Sequence, residues 1–262
     1  MRETREVLAD WKAGLANYPF WWRFGLLDIR LRYRRTLLGP FWVTLSFGVS
    51  AVALSLVYSL LFKVAAGSYF AYLIVGLAVW SLMSTLITEG CTTFVRHSQI
   101  IQQQPLPILV HPLRSVVGNF LVFAHNLVVV VIALAIAGVG VSGPTLLAIP
   151  AIALILINGV WVALLLGMLC ARFRDLPQLV TVLVNIAFLV TPVFWYRHML
   201  ADRAHFVDLN PLYAFLELVR APLLGELPAL SSVRVVLVAT VGGWILTFLV
   251  AVRLQPRLTY WL

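Results

Sequence analysis

The sequence predicts an all-α membrane protein with six spanning helices, and three observations carry that prediction. Apolar residues fill 62% of the 262 positions, charged residues only 11%, and mean hydropathy is +0.98. That leaves too little polar surface to coat a soluble globule of this size. The acidic residues all fall between or beyond the long apolar stretches. Those stretches are long enough to cross a bilayer: residues 36–62 alone make about 40 Å of helix.

Residues 1–38 read as an amphipathic segment lying on the membrane as one or two helices. Val7, Leu8, Trp11, Leu15 and Tyr18 share one helical face; after Pro19, so do Trp22, Leu26, Ile29 and Tyr33. Residues 27–34 also alternate at the strand period, but a lone strand at the interface would leave its backbone unpaired, so helix is preferred. Gly39 and Pro40 mark a break, with Pro40 suited to the first turn of the next helix.

Residues 39–262 form the transmembrane domain. Its spans are expected at 36–62, 69–87, 116–141, 146–170, 176–196 and 235–252, the first beginning inside the break. Between the second and third, residues 88–115 hold a short amphipathic helix outside the membrane at about 89–102, ended by Pro105 and Pro107. Between the fifth and sixth, residues 197–232 carry Asn210 as a helix cap, Pro211 at the first turn, an apolar run too short to span, and Gly225 as a stop. A re-entrant hairpin on the outer face is the expected form, and such hairpins line a path or cavity.

Lysine and arginine set the orientation. Arg2, Arg5, Lys12, Arg23, Arg30, Arg32, Arg34 and Arg35 precede the first span, Arg96 and Arg114 lie in the second loop, Arg172 and Arg174 in the fourth, and Arg253 and Arg257 in the tail. Only Lys63, Arg197, Arg203, Arg220 and Arg234 fall on the other side. The richer side is cytoplasmic and holds both termini. The net charge of +9 is concentrated beside membrane segments, which favours anionic headgroups or an anionic substrate over nucleic acid, for which no reader motif is present. Residues 1–38 do not fit a cleavable signal. Cys91 and Cys170 near cytoplasmic helix ends do not suggest a disulfide.

Missing motifs narrow the function. Lys12 is followed by Ala13 and Lys63 by Val64, so no glycine-rich loop closes on Lys-Ser or Lys-Thr to cradle nucleotide phosphates. The chain is expected not to be an ATPase or any other enzyme by itself. No span holds Asp, Glu, Lys or Arg, which disfavours an ion-coupled carrier. His125, with Asn126 and Asn119, is read as interhelical hydrogen bonding, and Asn158 and Asn185 as packing contacts. No metal site is expected. A membrane-embedded glycosyl- or acyltransferase using His205 and Asp208 is the alternative from another class.

Two sets of side chains offer chemistry. Arg30, Arg32, Arg34 and Arg35 form a collar at the first span. It serves as an anchor on anionic lipid, as a receptor for a pyrophosphate whose oxygens match guanidinium forks, or as both. Aromatic residues at helix ends and deeper, among them Tyr58, Phe188, Phe194, Trp195 and Tyr196, are read either as an interfacial belt or as faces on which sugar rings stack.

In order and spacing, several motifs resemble the membrane subunit of ABC exporters for polysaccharides, the permease family that includes O-antigen exporters. They are Arg32-Tyr33-Arg34-Arg35 with Leu38-Gly39-Pro40-Phe41-Trp42, Glu89-Gly90-Cys91, Pro105-Leu106-Pro107, Phe123-Ala124-His125-Asn126, Arg172-Phe173-Arg174-Asp175, and Asn210-Pro211-Leu212 with Arg220 and Gly225. The resemblance covers nearly the whole chain. It implies a homodimer bound to two copies of a separate nucleotide-binding ATPase that holds the ATP and Mg, exporting a lipid-pyrophosphate-linked glycan across the bacterial inner membrane. It assigns Arg30, Arg32, Arg34 and Arg35 to the headgroup, aromatics near the outer hairpin to the glycan path, and the N-terminal helix with residues 89–102 to the ATPase, including Trp11, Glu89, Arg96, His97 and Gln102. Many capsule and teichoic acid permeases carry a proline shortly after the Trp of the first motif, where this chain has Thr44-Leu45-Ser46. That departure favours O antigen or galactan over capsule or teichoic acid; an ABC exporter of drugs or lipids is the alternative within the class.

Overall fold

The structure, a computed structural model, describes residues 2–34, 41–203 and 205–262, and all regular secondary structure among them is helical. Two helices, α1 (Arg2–Ala16) and α2 (Tyr18–Arg32), precede α3 (Phe41–Phe62), α4 (Ala66–Arg96) and the short α5 (Ser98–Gln103). Then come α6 (Val110–Ile136), α7 (Ala148–Arg172), α8 (Leu176–Val190), the single turn α9 (His205–Asp208), α10 (Pro211–Leu223), α11 (Leu230–Leu254) and the closing turn α12 (Leu258–Trp261). The chain enters α2 through Asn17, and Pro19 sits in the first turn, where its missing N–H has no intrahelical partner to lose. Within the strand-like alternation of residues 27–34, residues 27–32 are helical and 33–34 turn.

Among the described residues five helices, α3, α4, α6, α7 and α11, are long and apolar enough to cross a membrane. The chain is a multi-pass helical membrane protein. α4 is the axis of the bundle: Tyr69, Leu73, Ile74, Val75, Ala78, Val79 and Leu82 are all buried, against α6 and α7 on either side. α3 buries only Ala51, Ser55 and Ser59, and α8 buries none of its residues, so both leave broad apolar faces open.

Several expected boundaries move, each for a physical reason. α4 and α6 extend beyond the expected spans, drawing Arg96, His111 and Arg114 into helix ends. Pro112 is accepted in α6 because it falls in the first turn. The helix expected at 89–102 is two pieces, the end of α4 and α5, broken at His97. There the ring Nδ1 donates to the Thr93 carbonyl at 2.7 Å, the acceptor an unbroken helix would give to the His97 backbone N–H, which bonds Phe94 instead. The span expected at 176–196 is helical only to Val190. Thr191 is extended, as a residue preceding proline prefers, and Pro192 cannot donate. At 15 residues α8 measures about 22 Å, short of roughly 30 Å of hydrocarbon.

The hairpin signals are realised locally. Asn210 Oδ1 accepts the Leu212 N–H at 3.0 Å, Pro211 opens α10, and Gly225, at φ +87°, stops it.

Candidate functional site

At the basic end of the bundle, ion pairs tie the N-terminal helices to the core. Arg114 Nε donates to Asp28 Oδ2 at 2.5 Å and its Nη2 to Oδ1, with the guanidinium carbon 4.9 Å from the centroid of the Phe24 ring. Arg32 Nη2 donates to Glu89 Oε1 at 2.9 Å, and Arg96 approaches the other Glu89 oxygen at 3.7 Å. An arginine expected at the headgroup and an acid expected at the ATPase thus meet each other. Arg30 and Arg34 are exposed, and Arg35 lies outside the described residues.

α1 docks through polar contacts as well. Both Asp10 carboxylate oxygens accept from Ile108 N–H, at 3.1 and 3.2 Å, pinning the loop after Pro107. Burial pushes this carboxyl above its usual range, partly offset by the Ile108, Gln255 and Leu109 donors. Trp11 donates to Gln255 Oε1 at 3.2 Å and packs edge-on against Trp244 and Phe248. His97 is 6% exposed and stacks on His111, with ring centroids 5.7 Å apart. Its burial, then the charge of Arg114, holds the imidazole below the usual histidine range. Of the five residues expected at the ATPase, Trp11 and His97 are occupied internally, Glu89 is ion-paired, and Arg96 and Gln102 are exposed.

The opposite end gathers four of the five candidate path aromatics into one cluster. Tyr58 and Phe194 stand 5.2 Å apart between centroids, Phe194 and Phe188 5.4 Å, and Phe188 and Trp80 5.6 Å. Tyr196 adjoins Tyr72 at 4.3 Å and Tyr69 at 5.8 Å. Trp195 turns aside, and its indole donates to Leu189 O at 3.2 Å. Phe194, Trp195 and Tyr196 occupy the non-helical stretch 191–196, which crosses α4 at Gly76. A Cβ there would stand 2.8 Å from Val193 O, so only glycine admits this backbone approach.

Other candidates resolve differently. His125 bonds Leu121 O and Asn119 bonds Ser115 O, both within α6 and not between helices as expected. Asn158 does bridge helices, donating to Thr240 Oγ1 at 2.7 Å. Asp208 is held by a two-point Arg197 fork at 2.6 and 3.0 Å on the exposed surface. A cavity of about 360 Å³ among α4, α7, α10 and α11 is walled by apolar side chains such as Met83, Leu86 and Phe215 with Asn158, and none of the five path aromatics lines it. Among the described residues no three His, Cys, Asp or Glu side chains are grouped as metal ligands.

Sequence reasoning gave no role to Asp10, Asp28 or Tyr72, took Arg114 as a loop cation and Tyr69 as a helix-end aromatic, and missed the role of Arg220. The available signal for Arg220 was a lone arginine three residues after Glu217 in an otherwise apolar helix.

The chain is 27% and 26% identical, each over 187 residues (71% of this chain and 72% of the relative), to two Klebsiella pneumoniae proteins named O-antigen export system permease protein RfbA. It is 24% identical over 223 residues to a Myxococcus xanthus protein of the same name, spanning 80% of this chain and 85% of that one. Residues 26–224, from within α2 to the end of α10, match the membrane domain of ABC-2 type transporters, and the chain belongs to that family.

Proposed function

We propose that the chain is the permease subunit of an ATP-driven exporter that carries a lipid-pyrophosphate-linked polysaccharide, an O antigen, out of the cytoplasm across the bacterial inner membrane. The observation that carries this reading is the similarity to O-antigen export permeases over 71–80% of the chain. It works as a homodimer with two copies of a separate ATPase, which holds ATP and Mg. The open apolar faces of α3 and α8 support a surface that a second copy or lipid covers.

In this reading α8 and the stretch 191–196 together make the sixth crossing, α10 is the re-entrant hairpin, and both termini are cytoplasmic. Residues 1–38 lie at the interface and 39–262 form the conduit. Arg30, Arg34 and Arg35 receive the pyrophosphate, and Arg32 joins them by exchanging Glu89 for phosphate oxygens. Arg96 and Gln102 face the ATPase, backed by Trp11, Glu89 and His97. Sugar rings pass over Tyr58, Phe188, Phe194, Trp195 and Tyr196, whose faces suit the apolar faces of pyranoses.

The test is deletion of the gene in its host, with the cell surface probed for long glycan chains. Loss of those chains, restored by the wild-type gene, is expected. Unchanged surface glycan with altered drug resistance would instead assign another cargo.

A further inference from the structure

The stretch 191–196 leaves backbone carbonyls with no helical partner in an apolar part of the protein, where each unpaired one is costly. Three side chains from two other elements take them. Tyr69 donates to Phe194 O, the one Tyr72 hydroxyl proton is shared between Trp195 O at 2.9 Å and Pro192 O at 3.2 Å, and Arg220 Nη1 donates to Pro192 O at 2.7 Å. Arg220 is 2% exposed, and its charge is answered by Glu217 Oε2, at 2.7 Å from Nη2 and 3.2 Å from Nε. The guanidinium carbon also lies 4.1 Å from the centroid of the Tyr72 ring, so Arg220 acts on the stretch twice, directly and through Tyr72.

An unbroken helix through residue 199 would satisfy the same carbonyls internally and need no buried ion pair. Burying Arg220 and Glu217 gains little stability over apolar packing, so the arrangement favours a specific geometry. That geometry is the exit of three successive aromatics from a turning, non-helical backbone, with Phe194 against Tyr58 and Phe188 and Tyr196 against Tyr72.

We infer that Arg220 and Tyr72 are positioning residues for the polysaccharide path: they hold the backbone of 191–196 so that Phe194 and Tyr196 present their faces to passing sugar rings. The inference rests on the proposed glycan path and adds the device that sets it.

The experiment uses the full permease with its partner ATPase in lipid vesicles. Lipid-linked polysaccharide purified from the host is titrated while ATP hydrolysis is followed, and membrane abundance is measured alongside. Tyr72→Phe removes only the hydroxyl and is expected to accumulate normally while raising the half-saturating glycan concentration about three- to tenfold, the size of one lost hydrogen bond. Arg220→Lys keeps the charge but not the fork and is expected to shift it in the same direction by less than Arg220→Gln. Phe194→Leu, a direct test of the path, is expected to match Tyr72→Phe. If Phe194→Leu shifts half-saturation but Tyr72→Phe and Arg220→Lys do not, the positioning role is overturned and the path stands. If Phe194→Leu has no effect, the aromatic path fails and the inference with it. If the Arg220 and Tyr72 variants lose abundance and maximal rate together at unchanged half-saturation, their role is structural only, and the inference is likewise overturned. Should the Arg220 variants fail to accumulate, Tyr72→Phe decides alone.

Discussion

Arg114 brings a full charge to a position where its side chain is 9% exposed, and Asp28 on α2 answers it at both oxygens. Replacing Asp28 by Asn keeps the shape and removes the charge, leaving a buried guanidinium short of its partner. The expected loss is about 1–3 kcal/mol, read as a lower unfolding temperature of the detergent-solubilised protein; an unchanged value would mean that the pair does not hold α2. Asp10 makes the opposite electrostatic contribution. Its carboxyl is raised above the ordinary 3.8 chiefly by burial, so the folded protein holds this proton more tightly than the unfolded chain. The associated stability is present below the unfolded value and is lost as pH rises through the folded one. Asp10→Asn, which keeps an acceptor for the Ile108 N–H, is expected to flatten the pH dependence of unfolding across the carboxylate range. A slope identical to wild type would assign that dependence to another group.

Between α8 and α10, the non-helical stretch 191–196 depends on contact with α4. Gly76→Val would press a branched side chain into Val193 O, 2.8 Å from where the first carbon would sit, and relieving that clash costs about 1–3 kcal/mol. Thermal unfolding and surface glycan are both expected to fall, and wild-type behaviour in both would show that the stretch does not need this approach. The start of this region's helix was legible in the sequence, because Asn210, Pro211 and Gly225 act on backbone within a few residues of themselves. So was the entry to α2 at Pro19, and so were the apolar cores of the long helices. The clamp was not legible. Tyr72 and Trp195 are 123 residues apart, Arg32 and Glu89 57, and Asp10 and Ile108 98, and no local periodicity encodes which distant pair will meet. For the same reason the candidate aromatics were identifiable by type and depth, while their convergence on Trp80, Tyr69 and Tyr72 required the fold.

At the scale of the whole molecule, five helices apolar and long enough to cross a membrane, in a chain of the ABC-2 type transporter family, make a multi-pass membrane protein. The bias of lysine and arginine toward one set of loops predicts that reporter fusions at both termini respond as cytoplasmic; opposite responses would remove α8 from the count of crossings. The central claim, a conduit driven by a companion ATPase, is tested most directly by reconstitution in sealed vesicles with lipid-linked O polysaccharide on one side and ATP supplied, with and without that ATPase. ATP-dependent arrival of glycan on the far side only when both proteins are present is the predicted result. Glycan movement or ATP hydrolysis by the purified chain alone would contradict it.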